Sequence, residues 1–117
     1  MTASEPKTFK RLPRPERREK LGITALFSDA EGERMMKGFA PRDMDDRWFV
    51  YFEGGWLNFY RSWTGAHIYA LKLDCSPSGV RVTDGWVSRD DDYRSPGVEH
   101  DREFVGSLAN RIIELRP

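Results

Sequence analysis

The clearest pattern of apolar and polar positions lies at the centre of the chain. Arg47–Glu53 (RWFVYFE) is β-branched and aromatic, Gly54-Gly55 interrupts it, and Trp56–Arg61 (WLNFYR) resumes the run. Two glycines tolerate the positive φ of a type I′ turn, so this stretch predicts a β-hairpin. Side chains alternate across a strand, which sets Trp48, Val50 and Phe52 on one face and Phe49 and Tyr51 on the other. Both faces are apolar, which predicts a central strand covered on each side.

Two more strands follow. His67–Asp74 (HIYALKLD) alternates Ile68, Ala70 and Lys72 against Tyr69, Leu71 and Leu73. The turn Pro77-Ser78-Gly79 leads into Val80–Val87 (VRVTDGWV), where Gly85 signals a bulge. Connections this short join antiparallel neighbours, because a parallel crossover needs about a dozen residues or more. Ahead of the hairpin, Leu21–Phe27 (LGITALF) predicts an early strand. Ser28 with Glu31 three residues later is a capping box, which predicts a short helix over Asp29–Lys37 stopped by Gly38. Gly32 inside it costs roughly 1 kcal/mol relative to Ala. At the other end, Phe104, Val105, Leu108, Ile112 and Leu115 form one stripe of an amphipathic helix over Val98–Leu115. The expected fold is α+β: a four- or five-stranded antiparallel meander, a C-terminal amphipathic helix packed on one face, and a short N-terminal helix.

Residues 1–20 break this pattern. They carry three prolines and ten charges with no periodicity, and such a stretch buries too little apolar surface to offset its ordering entropy. It is read as a mobile basic arm, with Phe9 and Leu12 touching the domain, and residues 21–117 as a single domain. A chain of 117 residues has room for one core. Apolar residues are only 38% of it but aromatic residues are 13%, so a few large rings must supply much of the burial.

The formal net charge is zero, yet it is unevenly spread. Residues 1–20 have a balance of +4 and residues 84–103 a balance of −4. The asymmetry can support self-association or a charged partner, but charge runs of this kind are more often a solvated tail and a solvated loop. A sequence pI of about 6.7 argues against a dedicated nucleic-acid binder. Cys75 is the one cysteine, which rules out an intramolecular disulfide framework and a cysteine-based structural zinc site. No apolar run approaches the roughly 18 residues that span a bilayer. The basic, proline-containing start lacks the apolar region of a secretory signal, so the cytoplasm is the expected compartment.

Candidate chemistry centres on Arg61-Ser62-Trp63-Thr64-Gly65, between two strands. Arg61 offers a planar fork of donors for phosphate or carboxylate, Ser62 and Thr64 add hydroxyls, and Trp63 can stack on a base. Gly65 permits close backbone approach. The same residues also make an ordinary turn, with Arg61 paired to Asp45 or Asp46 and Trp63 capping the sheet. Arg47 begins the central strand, and Arg89 and Tyr93 can reach back toward the turn. The expected ligand site is therefore Arg47, Arg61, Ser62, Trp63, Thr64 and Tyr93. No catalytic residue, metal or cofactor is expected. Asp45-Asp46 has no neighbouring His, and Asp90-Asp91-Asp92 lacks calcium-loop spacing. Neither His67 nor His100 stands in a zinc spacing or beside a nucleophile.

The run Met44-Asp45-Asp46-Arg47-Trp48-Phe49, the Gly54-Gly55-Trp56-Leu57 turn and the Arg61–Gly65 segment resemble a bacterial domain with an MDDRWF…GGWL…RSWTG signature. That domain occurs alone or beside ADP-ribosylglycohydrolase or macrodomain-type modules. The resemblance covers roughly residues 42–93 and brings over no catalytic residue. It implies a link to ADP-ribose or NAD metabolism. The expected function is an accessory binding domain for an anionic, nucleotide-like small molecule. The alternative is a protein-interaction module that binds a partner enzyme or a second copy of itself.

Overall fold

Alternating apolar positions make the strands, and tight turns keep successive strands antiparallel. A computed structural model describes residues 11–39, 47–62, 64–90 and 93–115, the Leu115 side chain excepted. In chain order the elements are β1 (Arg18–Lys20), β2 (Ala25–Phe27), α1 (Asp29–Met36), β3 (Trp48–Glu53), β4 (Trp56–Arg61), β5 (His67–Ser76), β6 (Gly79–Ser88) and α2 (Val98–Leu115). They form an α+β fold with one six-stranded antiparallel sheet in the order β1-β6-β5-β4-β3, and β2 also pairs with β6. The hairpin turn is made by Gly54 and Gly55 with φ of 60° and 85°, the positive values that such a turn requires.

The sheet has more strands than expected because its first edge is shared. β1 pairs with Trp86–Ser88 and β2 with Val80–Val82, both on the outer side of β6. The single strand expected over Leu21–Phe27 is broken between them. The Leu21 N–H still bonds the Gly85 carbonyl (2.9 Å), but Gly22 adopts φ 63° and regular pairing resumes only at Ala25. Residues 11–20, expected within a mobile arm, lie along the sheet as a strap. The Leu12 N–H bonds the Gly65 carbonyl and the Arg17 carbonyl accepts from Arg89 N–H, both at 2.8 Å. Asp90 accepts from the backbone N–H groups of Glu16 and Arg17, each at 3.0 Å. Backbone pairing, which side-chain periodicity does not announce, holds this highly charged stretch.

β3 lies at the end of the sheet, not at its centre. On its outer side Phe39 exchanges two backbone bonds with Val50, at 2.9 and 2.8 Å. One of its apolar faces sets Trp48 and Val50 beside α2, and on the other the Arg11 guanidinium lies over Tyr51. The bulge expected at Gly85 falls earlier. Pairing steps from Lys72↔Asp84 to Leu73↔Val82, which leaves Thr83 as the extra residue.

Helix α2 lays Val105, Ala109 and Ile112 into a core shared with Leu57, Phe59, Tyr69, Leu71 and Val87. Helix α1 starts with the expected capping box, Glu31 N–H to Ser28 Oγ at 3.2 Å and Ser28 N–H to Glu31 Oε1 at 2.9 Å. Gly32 has a reason to be there. A Cβ at this position would fall 2.2 Å from Val80 Cγ2, so glycine is what lets α1 seat directly on β6. Among the described residues no helix is long and apolar enough to cross a membrane.

Candidate functional site

Arg61 and Gly65 are bonded to one another across a turn. Arg61 N–H bonds the Ala66 carbonyl (2.9 Å) and Gly65 N–H bonds the Arg61 carbonyl (2.8 Å), with Gly65 at φ 78°. Thr64 Oγ1 accepts from Ala66 N–H at 3.2 Å, and Ser62 N–H bonds the Arg47 carbonyl at 2.9 Å. Thr64 Oγ1 thus serves the turn as an acceptor, and the positive φ of Gly65 serves it too. Trp63, Asp45 and Asp46 lie outside the described residues.

The other expected site residues are spread around one side of the sheet. The Arg61 guanidinium sits 5.1 Å from the centre of the Trp48 ring. Arg47 lines a cavity between β3 and α2, and Tyr93 lines a polar pocket with Glu19 and Arg89. Arg61 and Tyr93 are close enough that the guanidinium opposes the rise in the Tyr93 pKa, which burial drives upward.

Tyr93 belongs to a saturated network around Asp101, a fully buried residue on α2. The Tyr69 and Tyr93 hydroxyls lie 2.5 Å apart and at 3.1 and 3.4 Å from Asp101 Oδ1. Arg89 Nη2 and the Ser95 hydroxyl donate to Oδ2 at 2.8 and 2.9 Å, and Arg89 Nε reaches Glu19 at 2.7 Å. Burial pushes the Tyr69 phenol far above its ordinary range, and the neighbouring Tyr93 and Asp101 push it further. With both oxygens engaged, Asp101 ties β5 and the loop after β6 to α2, and β1 through Arg89 and Glu19. This is bracing, with no acceptor left over for a substrate.

The opposite face of the sheet is built differently. Alternation on β4 sets Trp56, Asn58 and Tyr60 away from α2, beside His67 on β5 and Trp86 on β6. The strap passes over these rings, and the Arg11 guanidinium lies 5.4 Å from the Tyr51 ring centre and 6.0 Å from that of Tyr60. Between strap and sheet is a cleft of about 480 Å³, lined by Arg11, Arg14, Trp56, Asn58, Tyr60, His67 and Trp86 among others. That volume is within the range of about 300–1,000 Å³ usual for small-molecule sites.

His67 reports on the cleft. It stacks on Tyr60 at 4.4 Å and meets Trp86 edge-on at 4.7 Å, yet its Nε2 is buried with no hydrogen-bond partner among the described residues. Burial, with Arg14, Arg11 and Arg18 adding positive charge, lowers its pKa to about 4. At neutral pH the imidazole is uncharged, and the field around it is cationic. Arg11 is paired with Glu53 at 3.2 Å across a solvent-exposed gap. Arg14 has no ion-pair partner among the described residues.

These residues were missed by sequence reasoning because the strap was set apart from the domain. The signal was present in the alternation Trp56, Asn58, Tyr60 and in the arginine spacing Arg11, Arg14, Arg18. Nothing local joins the two runs; the pairing of β1 with β6 does. No family model matches the chain, and no curated protein and no solved structure matches it, so the chemistry of the site is what bears on function.

Proposed function

We propose that the protein is a binding domain for an anionic small molecule of nucleotide type, held in the cleft between strap and sheet. The observation that carries this reading is the convergence of Arg11 and Arg14 with Trp56, Tyr60 and Trp86 around one cleft. Guanidinium groups recognise phosphate by paired donors, and indole and phenol rings accept a flat ring by stacking. We place the site in this cleft rather than on the Arg61–Gly65 turn because two guanidinium groups and the Trp56, Tyr60 and Trp86 rings line it together. An incoming phosphate takes the place of Glu53 at Arg11, and an exposed ion pair of that kind costs only about 0–1 kcal/mol to give up. The Asn58 amide donates to the Tyr51 and Trp56 carbonyls at 3.2 and 3.1 Å, which holds its side chain steady in the lining. ADP-ribose and NAD are the first ligands to try, in line with the resemblance of the Arg47–Gly65 region.

The thermal midpoint tests this reading with ADP-ribose, NAD, AMP and inorganic phosphate. A ligand at 100 times its dissociation constant stabilises by about 2.7 kcal/mol, which raises the midpoint by several degrees. The rise disappears in Arg14→Ala and Trp56→Ala. No rise with any of these ligands overturns the reading.

A protein-interaction role is the second reading, and Leu26 supports it. This residue is 56% exposed on β2, at the outer edge of the sheet. Sedimentation velocity that shows a dimer lost in Leu26→Glu, with no response to nucleotides, selects this reading over the first.

A further inference from the structure

The cavity between β3 and α2 differs from the cleft in its chemistry. It encloses about 640 Å³ and lies on the side of the sheet that α2 covers. Its walls include Trp48, Phe104, Leu108 and Ile112, and the Trp48 and Phe104 rings meet at 6.0 Å. Two exposed arginines, Arg47 and Arg111, stand at its rim, and neither has an ion-pair partner among the described residues. Glu114 also lines it, so its described lining residues carry a balance of one positive charge.

We propose that this cavity is a second binding site, for a carboxylate that carries an apolar chain, such as a fatty acid. Charge complementarity sets the head group: two guanidinium forks outweigh the one carboxylate beside them and suit a bidentate anion. The wall chemistry sets the tail. The Ser107 hydroxyl is spent on the Phe104 carbonyl at 2.7 Å, so the side chains that line the cavity are mostly hydrocarbon and ring faces. A nucleobase, whose ring edge needs several hydrogen-bond partners, leaves those groups unpaired there, and burying them is costly. An alkyl chain needs none and gains from the area removed from water. The site is independent of the strap cleft, with which it shares no lining residue among the described residues.

The test is displacement of a fluorescent apolar anion, anilinonaphthalene sulfonate, by dodecanoate below its micelle concentration, with dodecanol as the neutral control. Dodecanoate is expected to displace the probe from the wild type. Its affinity is expected to fall about tenfold or more in Arg47→Ala/Arg111→Ala, where both charged donors are lost. These two side chains are exposed, so the variant keeps its fold. Leu108→Trp, which fills the cavity, is expected to abolish displacement, whereas Arg14→Ala leaves it unchanged. Equal affinity of wild type and double-arginine variant for dodecanoate overturns the proposal. So does absence of displacement from the wild type, or dodecanoate-driven dimers in sedimentation, which place the chain at an interface between copies.

Discussion

Asp101 and His67 are both deeply buried polar side chains, on opposite sides of the same sheet. Asp101 has four partners, Tyr69, Tyr93, Ser95 and Arg89. His67 Nε2 has none among the described residues, and Arg11, Arg14 and Arg18 face it with positive charge. A buried polar atom left unpaired costs about 1–3 kcal/mol, a cost that a hydrogen-bond partner brought by a ligand or a water removes. The helix side therefore reads as bracing, complete in itself. The strap side reads as a surface with unspent hydrogen-bonding and electrostatic capacity, which is what a ligand uses.

The largest expected effect is on the braced side. Asp101→Ala leaves Arg89, Tyr69 and Tyr93 without their common acceptor and is expected to cost about 3–5 kcal/mol in urea unfolding. A loss below about 1 kcal/mol would mean that the network is not bracing, and the contrast between the faces would fail. Next comes the pH dependence of the strap side. The folded imidazole of His67 binds its proton with a pKa near 4, the unfolded one near 6.5. As pH falls from 6.5 to about 4 the unfolded chain gains a proton that the folded chain refuses, and stability drops by roughly 3 kcal/mol on this account. In His67→Phe that part of the acid loss is absent, as urea titrations at pH 7 and pH 4.5 can show. Equal acid losses in both proteins would remove His67 from the comparison.

A smaller effect is expected where α1 meets the sheet. Gly32→Ala improves helix propensity but drives a methyl group into Val80, and a net loss of about 1–3 kcal/mol is expected from overpacking. A gain in thermal midpoint would show that α1 can shift away from β6. The smallest effect on stability belongs to Arg11→Ala, within about 1 kcal/mol, because its ion pair with Glu53 is exposed. The same substitution is expected to weaken nucleotide binding, and a calorimetric titration separates the two readouts.

Much of the architecture was legible because it rests on local patterns. The Gly54-Gly55 hairpin, the Ser28/Glu31 capping box and the Val98–Leu115 helix each follow from neighbours a few residues apart. What was hidden depends on distant partners. Arg18–Lys20 becomes a strand only because β6 offers it an edge, and the edge position of β3 cannot be told from a central one when both its faces are covered. The site follows the same division. Arg61-Ser62-Trp63-Thr64-Gly65 stood out as a cluster of donors, and Thr64 Oγ1, as an acceptor, and Gly65, by its positive φ, also serve the turn. The cleft draws Arg11, Arg14, Trp56, His67 and Trp86 from four separate stretches, and no spacing rule joins them.

The most direct test of ligand binding in the cleft is an NMR titration of the His67 ring, with and without saturating ADP-ribose. An anion held by Arg11 and Arg14 offsets part of the positive charge that depresses His67, so its ring resonances are expected to move and its pKa to rise above about 4. Unchanged His67 resonances, with shifts at Arg61 and Thr64 in their place, would contradict the account and return the site to the turn.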